Sequence, residues 1–346
     1  MSQPTTPTST MRAVSQDRAG APDVLKVIET ARPEPGRGEI LVRVQAAGVN
    51  PADWKTRERG GFADGSTPPF ILGFDVAGVV EGVGAGVTLF HVGDEVFGMP
   101  RFPHPAGAYA EYVTAPARHF APRPRGLDPV QAGALPLAAL TAWQALVDTA
   151  RVRAGQRVLI HAAAGGVGHL AVQIAKARGA YVIATASAAK HDLLRSLGAD
   201  EVVDYRTQDV AETVHDVDVV LDGIGGANWS RSLRTLRPGG LLVSILPFDH
   251  TFPAEWAEAA GVRAVFMLVE PDHHGLREIG ALVEDGRLRV VVDSVFPLER
   301  AAEAHRLGET GRTTGKIVLT VTPAPDAGEV PPSGDAPDAP DAPDNA

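Results

Sequence analysis

The 346-residue sequence contains no cysteine. That absence excludes disulfides, thiolate nucleophiles and cysteine-ligated zinc or iron–sulfur centres. No stretch approaches the roughly 20 uninterrupted apolar residues that span a bilayer, so no membrane partner is expected. The first ten residues, Met1 to Thr10, lack both a basic start and an apolar run. They do not resemble a secretory signal, so 1–10 is read as a loose extension and a cytoplasmic location follows by default. Positive charge is also short: the net charge is −10, and the segment from Pro323 to Ala346 has six acidic residues and no Lys or Arg, leaving −4 for the rest. So mildly acidic a body is a poor nucleic-acid binder. The tail 323–346 repeats Ala-Pro-Asp, too polar and proline-rich to bury a core, and is expected to be disordered.

What remains, 44% hydrophobic and 21% charged, is ordinary globular composition, with enough chain for two cores. From Met11 onward, short apolar runs at Ile40–Ala47, Val76–Gly82, Asp94–Gly98 and Tyr109–Thr114 are divided by Gly and Pro, as in a compact, mostly β domain. From about Leu135 strands alternate with helix-length segments. Val158–Ala162, Tyr181–Ala186, Val217–Leu221, Gly240–Leu246 and Val262–Val269 read as strands, with helices such as Gly168–Arg178 and Ala189–Leu197 between them. This alternation predicts an α/β fold with a doubly wound parallel sheet. After Asp272 come a helix (Leu276–Glu284), a strand (Arg289–Asp293), another helix (Leu298–Leu307) and a last strand (Lys316–Val321).

The strongest local signal is the strand Arg157-Val-Leu-Ile running into Ala163-Ala164-Gly165-Gly166-Val167-Gly168 and then the amphipathic segment to Lys176. Glycine here lets the backbone turn tightly, approach a pyrophosphate and pack helix on strand, while the helix start offers free N–H groups. Ala163 stands where the first fingerprint glycine is expected. At the end of the second strand, where NAD-binding chains usually place an acid against the ribose, this one reads Thr185-Ala-Ser187-Ala-Ala-Lys190. A hydroxyl and an ammonium accept a 2′-phosphate that a carboxylate would repel, so NADPH is the expected cofactor. The bland alternative is that Ser187 caps a helix and Lys190 is solvated.

Gly48-Val-Asn50-Pro-Ala-Asp53, Leu72-Gly73-Phe74-Asp75-Val-Ala-Gly78, Gly93-Asp94-Glu-Val-Phe97-Gly98, Gly107-Ala-Tyr109-Ala-Glu111-Tyr112, Leu140-Thr141-Ala142-Trp143, the glycine turn and Thr314-Gly315-Lys316 follow one another in order. Together they resemble the landmarks of the medium-chain dehydrogenase/reductase superfamily, in its zinc-free quinone oxidoreductase and enoyl reductase branch. The resemblance implies a GroES-like domain (11–134 and 272–322) interrupted by a Rossmann domain (135–271). It also implies that Thr141, Tyr205 and Lys316 lie near the cofactor, with Gly223 and Gly225 at the sheet edge where it passes. Phe74 occupies the place of a zinc-ligating histidine in metal-dependent relatives, and Asn50 is nearest in register to their lost cysteine ligand; phenylalanine cannot ligate zinc. Asn50 is the candidate donor to the acceptor oxygen and Tyr109 a candidate proton source. The implied activity is hydride transfer from NADPH to a quinone or an α,β-unsaturated carbonyl. A metal-free carbonyl reductase and a non-catalytic NADPH-binding protein stay open as alternatives. An apolar edge strand at Val262–Val269 further predicts a homodimer.

Overall fold

The computed structural model describes residues 9–62, 64–248, 252 and 254–321. The expected acidic tail and most of the N-terminal extension fall outside the described residues. Thr10 belongs to a strand, Thr10–Gln16, which pairs with Lys26–Ala31.

Six strands, Arg157–Ile160, Tyr181–Ala186, Glu201–Asp204, Val217–Asp222, Leu236–Ser244 and Arg263–Phe266, form one all-parallel sheet. Their order across it is third, second, first, fourth, fifth, sixth. Successive side chains point to opposite faces: Val158 and Ile160 enter one hydrophobic core, and Leu159 between them enters another. Burial on both faces explains why Arg157–Ile160, Tyr181–Ala186 and Val217–Asp222 read as largely apolar runs. Glu201–Asp204 escapes such a reading, because four residues with an acid at each end leave no apolar run. The edge strand Arg263–Phe266 is shorter than the expected Val262–Val269.

Thr10–Gln16, Lys26–Ala31 and Phe70–Ile71 form a small sheet of their own, and seven further strands form a second large sheet, mostly antiparallel. Glu39–Val49 is its centre, flanked by Val76–Val83, Tyr112–Pro116 and Lys316–Thr320, with Val292–Pro297 beyond the last of these. Lys316–Thr320 runs antiparallel to Glu39–Val49, so the chain returns here after completing the parallel sheet. The strand expected at Arg289–Asp293 lies later, at Val292–Pro297. The helix Pro51–Arg59, opened by proline at its first turn, is an addition to the sequence reading. Between the halves lies Pro136–Trp143, a helix whose residues are all buried. It packs on the helices Gly168–Ala177 and His273–Glu284 and on the strand Glu95–Gly98. Among the described residues no helix is long and apolar enough to cross a membrane.

The strand order reverses between Arg157–Ile160 and Val217–Asp222, and the crevice outside their carboxyl ends is where such sheets bind ligands. Close packing at this point depends on Gly168. A Cβ there would lie 2.4 Å from Ala162 O and 2.6 Å from Ala163 Cα. Neither backbone atom yields cheaply, so Gly168→Ala should destabilise by about 1–3 kcal/mol, read as a lower urea midpoint. Gly165→Ala, whose nearest neighbour would be 3.2 Å away, should shift the midpoint much less. Equal shifts would show that the helix can move off the strand.

Candidate functional site

The first parallel strand ends in a turn whose left-handed residue is Ala162, with φ of 49°. The sequence reading put the first fingerprint position at Ala163. The structure moves the unusual backbone one residue earlier, while the Ala163 N–H bonds Thr185 O at 3.0 Å. No side chain caps the helix Gly168–Ala177; the His169 and Leu170 N–H groups bond Gly165 O and Val167 O (both 3.2 Å), which leaves the Gly168 N–H at the helix start for an anion. A cleft of about 320 Å³ opens beside the turn. Ala162, Ala164 and Gly165 line one wall, Thr185 to Ser187 and Lys190 another; Tyr205, Ile224, Gly311 and Thr313 complete it. The Lys190 ammonium donates to Arg312 O (3.1 Å) and Thr313 O (3.0 Å). Of its three hydrogens one is left for a ligand.

The turn is stitched to the second sheet from below. His169 bonds Gly165 O through Nδ1 (2.8 Å), and its Nε2 accepts the Val291 N–H (3.1 Å). Only the neutral ring with its proton on Nδ1 satisfies both partners. Burial, and to a lesser degree Lys316, lowers its pKa to about 4. Gly315 N–H adds a bond to Ala164 O at 2.9 Å.

Beneath the turn sits a cluster of buried polar groups: Asn50, Asp53, Arg57, Asp75, Tyr109, His305 and Lys316. Lys316 Nζ donates to Asn50 Oδ1, to Val49 O (3.3 Å) and to Asp75 Oδ2 (3.3 Å). Asp75 also accepts Asn50 Nδ2 (2.9 Å) and the Leu137 N–H (2.7 Å). The ammonium is thus paired and hydrogen-bonded, as burial of a charge demands. Asp53, three residues into Pro51–Arg59, reaches back to the Asn50 N–H (2.7 Å) and accepts the Gly73 N–H (3.2 Å), half of a capping box that fixes the loop before the helix. Burial pushes Asp53 up to about 7, with Asp75 adding to the rise and its hydrogen bonds opposing it.

Two family models match: an alcohol dehydrogenase GroES-like domain over residues 36–125 and a zinc-binding dehydrogenase over 197–319. A quinone-oxidoreductase homolog of Spinacia oleracea is 36% identical, covering 87% of this chain and 95% of that protein. The chain belongs to the medium-chain dehydrogenase/reductase superfamily. An NADPH-dependent alkenal/one oxidoreductase of Arabidopsis thaliana is also 36% identical, over 90% of this chain and 80% of that protein. The solved quinone oxidoreductase of Coxiella burnetii superposes with a TM-score of 0.84 at 39% identity, covering 91% of this chain and 100% of that one. This superfamily member is an oxidoreductase that uses a nicotinamide cofactor.

Of the residues expected at the cofactor, Ala164, Gly165, Ser187, Lys190 and Tyr205 meet at one cleft. Gly166 lies over Lys316, whose Cδ would be 3.2 Å from a Cβ added there, and Val167 is the residue before the helix. Gly223 and Gly225 flank Ile224 in a loop held by the buried Asp222 carboxylate, which accepts the N–H groups of Ile224 (2.7 Å) and Gly225 (2.9 Å). Thr141 is not among the cleft residues; its hydroxyl donates to Leu137 O at 2.7 Å within its own helix. Both catalytic expectations need correction. Asn50 is 1% exposed, with its Oδ1 accepting from Lys316 and one Nδ2 hydrogen given to Asp75, so its side chain is fixed inside the cluster as a strut. Tyr109 is fully buried, with its hydroxyl on Asp53 (3.1 Å) and a pKa well above the usual tyrosine value through burial and Asp53, so it faces no acceptor. Sequence reading missed His169, His305 and Arg57, each of which looks like an ordinary surface or helix residue in one dimension.

The His169 shift has a consequence for stability. With a folded pKa of about 4 against the ordinary 6.5, the unfolded chain takes up this proton first as pH falls. The contribution is full above pH 6.5 and lost as pH falls toward 4, amounting to about 3 kcal/mol. His169→Gln, neutral throughout, should flatten the pH dependence of the unfolding free energy across that window. Identical slopes in variant and wild type would contradict the assignment.

Proposed function

We propose that the protein transfers hydride from NADPH to a quinone or to the activated C=C of an α,β-unsaturated carbonyl, without zinc. The observation that carries this reading is the cleft, where the Ser187 hydroxyl and the Lys190 ammonium stand at the end of the second parallel strand and no carboxylate lines the wall. The acid that ends the third strand, Asp204, is turned onto the backbone N–H groups of Ala188 (3.2 Å) and Arg206 (3.0 Å). Tyr205 and Ile224, about half exposed, offer apolar faces to an adenine. The glycine turn and the uncapped helix start would hold the pyrophosphate, and Ser187 with Lys190 the 2′-phosphate. When bound, NADPH supplies the hydride. The names of the spinach and Arabidopsis relatives support the quinone and enone classes.

The motif position of a zinc-ligating histidine supports chemistry without the metal. Phe74 is buried there, edge-on to Phe62 (6.0 Å) and Phe102 (4.9 Å). Among the described residues no group of three or more acids or histidines suits a metal ion. With no Lewis acid to polarise a simple ketone, an acceptor that is already electrophilic is the easier partner. The same reading keeps the enzyme in the cytoplasm as a homodimer. Among the described residues no strand pairs with the outer edge of Arg263–Phe266, and Phe266 is 39%, Leu268 49% and Trp256 60% exposed around it; a two-fold partner would close that edge. Light scattering that reports a monomer at every concentration would remove the dimer from the proposal.

Cofactor choice is tested through Lys190. Lys190→Ala should weaken NADPH binding by about tenfold or more, the worth of a charge-assisted hydrogen bond, and leave NADH nearly unchanged. Titration calorimetry separates this from a purely structural role. A lysine that only pins the Arg312–Thr313 backbone would, when removed, cost both cofactors alike.

A further inference from the structure

Asp53 pins two loops at once. It holds the Asn50 N–H at one side and the Gly73 N–H at the other, and these loops carry the amide and the carboxylate that grip Lys316. Its third donor is the Tyr109 hydroxyl at 3.1 Å. Behind Tyr109 stands His305, with Nε2 at 3.2 Å from the hydroxyl, and behind His305 stands Arg57, with Nη1 at 3.0 Å from Nδ1. The other guanidinium nitrogen reaches the partly exposed Glu309 at 2.5 Å, so the chain of contacts begins near the surface and ends under the site.

Its polarity follows from elementary donor counting. Arginine only donates. Nδ1 of His305 must therefore accept, the proton of the neutral ring sits on Nε2 and is donated to Tyr109, and the tyrosine O–H is left to point at Asp53. Every link donates toward the carboxylate, and the guanidinium prevents the chain from turning round.

We propose that Arg57, His305 and Tyr109 are positioning residues, a one-way hydrogen-bond chain that holds Asp53 as the carboxylate and so keeps the Asn50 and Asp75 loops closed on Lys316 during turnover. This rests on the proposed function only in taking the Asn50 loop as a wall of the acceptor site. A protonated Asp53 would need an acceptor for its O–H, yet two of its partners are backbone N–H groups and the third, the Tyr109 hydroxyl, already points its hydrogen at Asp53 and accepts from His305. Protonation would release at least one loop.

The charged and titratable groups around Asp53 are Asp75, Lys316 and Tyr109, with His305, Arg57, Glu58 and Glu309 behind the tyrosine. Burial and Asp75 push Asp53 up to about 7, against its hydrogen bonds and Lys316. His305 is held down at about 3 by burial and by Arg57, so it stays neutral through the working range and the chain keeps a single proton arrangement. Removal of a donor moves the titration of Asp53 upward.

The test is the pH profile of turnover with NADPH and 1,4-naphthoquinone. Wild-type kcat should rise with pH through an acid limb near 7, with KM for NADPH flat. Tyr109→Phe should move that limb up by about one pH unit, a loss of about fivefold at neutral pH that returns in alkali. His305→Leu should do the same. His305→Gln, whose amide can both accept from Arg57 and donate to Tyr109, should restore the wild-type limb. A structural defect alone would lower kcat at every pH and leave the limb in place, and that result overturns the proposal. Infrared titration of isotope-labelled aspartate in the wild-type protein needs neither a variant nor an acceptor. A buried carboxyl band that is absent at neutral pH, or that appears only as the protein is acidified through that range, supports the chain; a band that persists into alkali defeats it, whatever the variants do. Wild-type inactivity with every quinone and enone would sink the substrate reading while leaving the infrared result standing.

Discussion

A single buried ammonium, that of Lys316, decides how the two halves of this protein meet. Its stem passes under Gly166 of the dinucleotide turn, and its nitrogen is gripped by Asn50, Val49 and Asp75 of the other domain. An unpaired charge at 3% exposure would cost several kcal/mol. The loops that supply its partners are therefore not free to drift, and each has its own fixing. Asp75 is tied to the start of the helix Pro136–Trp143 through the Leu137 N–H, and Asn50 is tied to Pro51–Arg59 through Asp53. The geometry of the site is a by-product of satisfying one cation.

The glycine turn is constrained from the same side. Gly315, the residue before Lys316, donates to Ala164, and His169 joins Gly165 to Val291. Nearby, Lys190 of the parallel domain holds the carbonyls of Arg312 and Thr313. The loop from Thr310 to Lys316 is thus bonded at both ends to the domain that would carry the cofactor, although its last strand belongs to the other sheet. Cofactor in the cleft would touch this loop at Gly311 and Thr313, so occupancy of the cleft and the seating of Lys316 act on one short segment.

How much of this could be read in one dimension depends on which kind of interaction was at stake. The inner strands of the parallel sheet were legible because they are buried on two faces and so largely apolar, and the turn because glycine is demanded by close approach, as the 2.4 Å clearance at Gly168 shows. Ser187, Lys190 and Tyr205 could be placed at one cleft because they sit at strand ends, where the topology leaves little choice. The roles of Asn50 and Tyr109 were misread for a common reason. Each is polar in a loop, and a loop position says nothing about whether partners more than 20 residues away will engage its polar atoms; Asp75 accepts from the Asn50 amide nitrogen, Lys316 donates to its oxygen, and Asp53 accepts from Tyr109. His305 and Arg57 are invisible for the same cause: their contact spans 248 residues of chain.

The protonation states of the buried groups narrow the chemistry that the site can support. His169 and His305 are held at about 4 and about 3 by burial, and Tyr109 is pushed well above its usual value. Near neutral pH none of the three gives or takes a proton readily, and a general acid or base is effective only when its pKa lies near the working pH. Asp53 is the exception at about 7, yet it is enclosed, with its oxygens turned to Asn50, Gly73 and Tyr109. A reaction whose barrier is set by proton transfer would be poorly served here. One whose barrier is set by hydride transfer to an electrophilic carbon or a quinone asks the protein chiefly for orientation and a fixed electrostatic surround, with water free to supply the proton afterwards. A buried cation held by three partners, under a turn shaped for a dinucleotide, meets that demand without any exposed acid.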